Sequence, residues 1–174
     1  MAGQPRPAGH RKKQAVIGSS DIWAMDPATL RDIVLDGEAM AARLETCPAP
    51  ERVWILTLLG ECGQAAQEGE ALLDRASNRF LPLLLLARAY QGQYRWHDAA
   101  RLQEEALRLA GTPAREATVR HQIGQRLFDE ARYRDAAAEF EWARDLHRAC
   151  GHPEPLILAS EQGMKRSREL ARPG

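Results

Sequence analysis

Apolar and small residues return every three or four positions through most of this chain, and from Leu59 the pattern also returns on itself. The stretches LGECGQAAQEGEALLDRA from Leu59, QYRWHDAARLQEEALRLA from Gln93 and EARYRDAAAEFEWARDLH from Glu130 align so that Ala65, Ala99 and Ala136 coincide. Cys62, Trp96 and Tyr133 then match three positions earlier, and Leu72, Ala106 and Ala143 seven positions later. The copies stand 34 and then 37 residues apart. Self-similarity at that period marks helical hairpins stacked into a solenoid, in which each unit covers the apolar face of its neighbour.

The periodicity predicts an all-α chain. A flexible basic tail is expected over residues 1–25, which hold Pro5, Pro7 and the run His10-Arg11-Lys12-Lys13 without any helical spacing. The folded domain is expected over 26–172. Asp26-Pro27 reads as a helix start, an N-cap acid followed by proline at the first helical position. Leu30, Ile33, Val34, Ala41 and Leu44 would then form the apolar stripe of a capping helix over 26–46, ended by the CPAP break from Cys47. Three hairpins follow, over about 50–76, 79–110 and 113–149, with a second capping helix over 154–170. Their turns fall at Gly60 and Gly63, at Gly92, and in the stretch Asp129–Arg132. Gly111-Thr112-Pro113 and Gly151-His152-Pro153 supply the stops.

The chain resembles the tetratricopeptide repeat family. The third unit matches through Ile123-Gly124, Leu127, Tyr133, Ala136, Phe140 and Ala143, and the second through Leu83, Leu86-Ala87, Tyr90, Trp96, Ala99 and Ala106. The resemblance covers roughly residues 49–150 and implies a right-handed α-solenoid of about three hairpins between N- and C-terminal capping helices. Val53 stands where the family prefers a small residue, and Gly69 and Gln103 stand where it prefers an aromatic one.

In that family the first helices of successive hairpins line a concave groove. The residues so placed are Trp54 and Leu58, then Leu84, Arg88 and Gln91, then His121, Gln122, Gln125 and Asp129, with Phe128 beside them. An apolar anchor beside arginine, glutamine and histidine suits a peptide segment or a partner helix. Trp54 and Leu58 have a second reading, as core beneath the N-terminal helix. The family's carboxylate clamp of lysine, asparagine and arginine has no counterpart, because this surface holds only Arg88 as a cation.

Composition narrows the alternatives. With 24 basic and 24 acidic residues the net charge is zero, so no global field favours nucleic acid or an anionic membrane. The seven arginines between Arg115 and Arg148 alternate with seven acids, which reads as solvated faces with local ion pairs. The longest apolar run, LPLLLLA from Leu81, falls short of the roughly 18 residues that span a bilayer. Cys47, Cys62 and Cys150 have no metal-site spacing and read as reduced thiols of a cytoplasmic protein. The pairs Glu104-Glu105 and Asp129-Glu130 diverge on a helix, the histidines show no HExxH, and His97 beside Asp98 reads as a helix cap. The expectation is a non-enzymatic interaction module without catalytic residue, cofactor or metal. The alternatives are a self-associating homodimer, separable by light scattering, and a nucleic-acid regulator acting through the basic tail. Twenty-one arginines against three lysines suggest a GC-rich bacterial source.

Overall fold

The computed structural model of the chain describes residues 20–172, so the run His10–Lys13 and most of the expected tail lie outside the described residues. An antiparallel hairpin, β1 (Trp23–Met25) and β2 (Asp32–Val34), precedes eight helices: α1 (Gly37–Thr46), α2 (Ala49–Leu58), α3 (Cys62–Arg75), α4 (Phe80–Gly92), α5 (Trp96–Leu109), α6 (Pro113–Asp129), α7 (Tyr133–Ala149) and α8 (Glu154–Leu170). The all-helical expectation holds for everything after the hairpin. Each helix from α2 packs on the next, and α2, α4, α6 and α8 also touch one another in succession.

The predicted helix from Asp26 does not form. Asp26 instead closes a turn, accepting from the Ala28 N–H at 2.9 Å and from the Thr29 hydroxyl at 2.8 Å. Leu30 takes a left-handed φ of 58°, and Trp23, Ala24 and Met25 pair with Val34, Ile33 and Asp32. The β-branched Ile33 and Val34 favour the strand they now occupy. The helix starts ten residues later, where Asp36 caps α1 by accepting from the Ala39 N–H at 3.0 Å.

The hairpin turns repeat in detail. Gly60, Tyr94 and Ala131 all adopt a left-handed φ, of 83°, 60° and 59°. The next residue in each case, Glu61, Arg95 or Arg132, donates its N–H five residues back, to Leu56, Tyr90 or Leu127, each at 2.9 Å. This is a Schellman closure, which satisfies carbonyls that a helix end would otherwise leave open. These positions carry the same 34- and 37-residue spacing as the aligned alanines.

Small residues set how closely the helices approach. Ala65, Ala99, Ala106, Ala136 and Ala143 are fully buried. Phe140 of α7 lies between Gly124 of α6 and Gly163 of α8, where a Cβ would fall 2.9 Å and 2.7 Å from its ring. One core cluster runs from Val53 through Leu83, Leu86 and Tyr90 to Val119. A second gathers Leu127, Phe128, Ala136, Phe140 and Met164 around Leu30 of the hairpin turn.

Gln103, the departure from the family pattern, is fully buried and bridges α5 to α6. It donates to the Gln122 carbonyl at 3.3 Å and accepts from Arg126 Nε at 2.7 Å. Arg126 is only 8% exposed and also pairs with Glu130. Neither of those two lies on a solvated face as the charge pattern suggested. Their neighbours do match it: Arg132 with Asp135, Arg144 with Asp145 and Arg148 with Glu161 are ion pairs with at least one exposed partner.

Candidate functional site

The helices α2, α4, α6 and α8 share one property beyond packing on each other: all four touch the N-terminal hairpin. On α2, Trp54 meets Trp23 edge to face, with ring centroids 5.4 Å apart. On α4, Arg88 donates to the Asp32 carboxylate at 2.9 Å and to Gln125 Oε1 at 2.5 Å. On α6, Gln125 donates to the Leu30 carbonyl at 3.4 Å, and Asp129 accepts from Arg31 at 3.3 Å. On α8, Gln162 donates to the Pro27 carbonyl at 3.2 Å, and Arg166 to the Ala28 carbonyl at 3.1 Å.

Eight of the nine expected groove residues therefore lie around the hairpin, its immediate contacts or the cavities it helps to line. Trp54, Arg88, Gln125 and Asp129 bind it directly. Gln91 reaches it at second hand, donating to Asp129 at 2.8 Å. His121 and Gln122 share a cavity wall with Trp23 and Met25, and Leu58 shares one with Arg31 and Asp32. Leu84 is a correction: only 2% exposed, it belongs to the core between helices. Phe128, placed beside the groove, is likewise buried, in the cluster around Leu30. The second reading of Trp54 holds in part. It is half-buried, under a strand residue and not under a helix.

Two cavities flank the Arg88–Asp32 pair. One, about 220 Å³, is lined by Thr57, Leu58, Arg88, Gln91, Tyr94 and Asp129 among others. The other, about 200 Å³, is lined by Trp23, His121, Gln122, Gln125, His147 and Leu156 among others. Each wall contains an orphan acceptor. The Oε1 atoms of Gln91 and Gln122 are buried and have no hydrogen-bond partner.

His121 is less polar in effect than its name suggests. Burial above all, then the nearby His147 and Arg88, push its pKa down to about 3, so the ring is neutral. Its Nδ1 lies 2.9 Å from Ser160 Oγ and its ring stands edge-on to Phe140. Ser160 is fully buried, and among the described residues no carboxylate is hydrogen-bonded to the imidazole. His97 is exposed, and the start of α5 has no side-chain cap. The expected capping role is absent; Asp98 pairs with Arg95 and Arg101 instead.

Asp129 and Glu130 are both half-buried and engaged, unlike the solvated pair expected from sequence. Among the described residues no cluster of histidine, cysteine, aspartate or glutamate could hold a metal ion. Among them, too, no helix is long and apolar enough to cross a membrane.

Sequence reasoning missed Trp23, Leu30, Asp32, Gln162 and Arg166. The first fell in the expected tail and the next two on an expected helix. The two on α8 follow from its place beside α6, which a cap reading hides. Compared with known proteins, the chain matches no family model and no curated sequence.

Proposed function

We propose that this chain is a non-enzymatic protein-interaction module of the tetratricopeptide kind, a right-handed helical array whose concave groove receives an extended polypeptide segment. One observation carries the reading: the surface formed by α2, α4, α6 and α8 already grips a polypeptide, residues 23–34, through its backbone carbonyls, one carboxylate and one aromatic ring. Backbone carbonyls held by glutamine and arginine side chains are a sequence-tolerant grip, whereas the arginine–carboxylate and ring–ring contacts select. The repeated Schellman turns and the matching alanines support the array.

The test is affinity capture with purified wild type beside a Trp54→Ala/Arg88→Glu variant, after circular dichroism shows that both fold. A polypeptide held by wild type and lost by the variant, then rebinding as a pure component, is the expected result. Retention of every captured polypeptide by the variant would exclude the groove.

A further inference from the structure

We propose that the hairpin over residues 22–35 is a tethered competitor: a partner enters the groove by displacing it, and that partner is a segment bearing a carboxylate, an aromatic ring and an aliphatic side chain. This rests on the groove reading above.

The hairpin cannot owe its shape to itself. Its strands are three residues each, well short of what holds an isolated hairpin together in water. Its order comes from the groove, so leaving the groove and losing structure are one event. It joins α1 through exposed residues, Leu35 and Asp36, followed by the exposed Gly37. Ile33 and Leu35 on the hairpin are exposed as well, so part of its apolar surface gains nothing from docking.

What departure would uncover defines the replacement. Among the described residues Asp32 is the one carboxylate paired with Arg88, in a partly buried setting. A displacing segment without a carboxylate would leave that guanidinium desolvated and unpaired. Trp54 would lose its ring partner, and Leu127 and Phe128 would lose Leu30. A segment supplying all three replaces those three losses in kind. Its own carbonyls take up Gln125, Gln162 and Arg166, and Asp129 keeps its bond from Gln91 when Arg31 leaves. Tethering keeps the local hairpin concentration high, so it weakens a free ligand's apparent affinity by the fraction of time the groove is open.

The probe is a fluorophore-labelled peptide of residues 20–36, added to the full chain. Asp32→Asn in the full chain loosens the tether while leaving Arg88 in place. That variant should bind the wild-type peptide about ten-fold more tightly than the wild-type chain does. An Arg88→Glu change added to it should abolish the gain, and a peptide carrying Asp32→Ala should bind about ten-fold more weakly. Equal affinity of wild type and Asp32→Asn would overturn the competition. It would leave the groove reading standing if Arg88→Glu still abolished binding. A wild-type dimer that Arg88→Glu dissolves would overturn the foreign partner in favour of exchange between two copies. Should Asp32→Asn fail to fold, hydrogen exchange on wild type decides. Hairpin amides opening while α4 and α6 stay protected is expected, and hairpin opening only with global unfolding overturns the proposal.

Discussion

Asp32 and Arg88, 56 positions apart in the chain, meet at 2.9 Å where the N-terminal hairpin crosses α4. Both side chains are partly buried, 14% and 21% exposed, so water screens the pair less than it would on an open surface. Arg88 is also held by Gln125, which in turn grips the Leu30 carbonyl. The pair is thus one joint of a small network that fastens the hairpin.

Removing both partners should therefore cost less than the two single removals added together. Asp32→Ala or Arg88→Ala alone should lower stability by about 2 kcal/mol, and a double-mutant cycle should return a coupling of roughly 1 kcal/mol. Urea unfolding of the four proteins measures it, and a coupling near zero would show the contact to be incidental.

Gly163→Ala tests the clamp on Phe140. The added methyl would stand 2.7–2.8 Å from three ring atoms, and the ring, pressed from the other side by Gly124, has nowhere to go. A loss of about 1–3 kcal/mol is expected, read as a fall in melting temperature. At Gly63 an added Cβ would meet only the flexible Gln93 side chain, 3.7 Å away, so the same change should be nearly silent.

Ala131→Gly should move stability the other way. Ala131 is exposed and sits at a φ of 59°, a conformation that costs a residue with a Cβ about 1 kcal/mol and glycine almost nothing. A gain approaching that figure is expected by thermal unfolding. Tyr94 shares the conformation but meets Trp96 edge to face, with ring centroids 5.6 Å apart, so Tyr94→Gly should gain less.

Acid should destabilise the fold through two histidines. Burial first, then His152, lowers the His147 pKa to about 4, and His121 is lowered to about 3. Both start from an ordinary value of 6.5 in the unfolded chain. Below that value the unfolded chain takes up protons that the folded one refuses. Their contribution is therefore complete above pH 6.5 and drains away as the pH falls toward 4. Between pH 7 and 5 the loss should be roughly 1–2 kcal/mol per histidine. Urea midpoints at the two pH values measure it, and His147→Gln should flatten the slope.

The helices were legible because their information is local. Repeated alanines, glycine stops and a 3.6-residue period are properties of neighbouring positions, and they locate α2 to α8 without tertiary knowledge. The face over α2, α4 and α6 was legible only as a surface, because periodicity says which way a side chain points and not what stands opposite. Leu84 failed for that reason, since packing between helices closes over it. The hairpin failed for another. Asp26-Pro27 serves equally as a helix cap or as a turn, and Ile33-Val34 fit a helical stripe or a strand. The tie is broken by contacts with α4, α6 and α8, which lie more than fifty residues away.

The hydrogen bonds from Gln162 to Pro27 and from Arg166 to Ala28 join residues 135 and 138 positions apart. On the ribosome, the hairpin emerges ahead of α1 to α8, and its last anchors follow only with α8. Until then only the contacts from α2, α4 and α6 can hold it. What is made before α1 to α8 is the last to be fully secured.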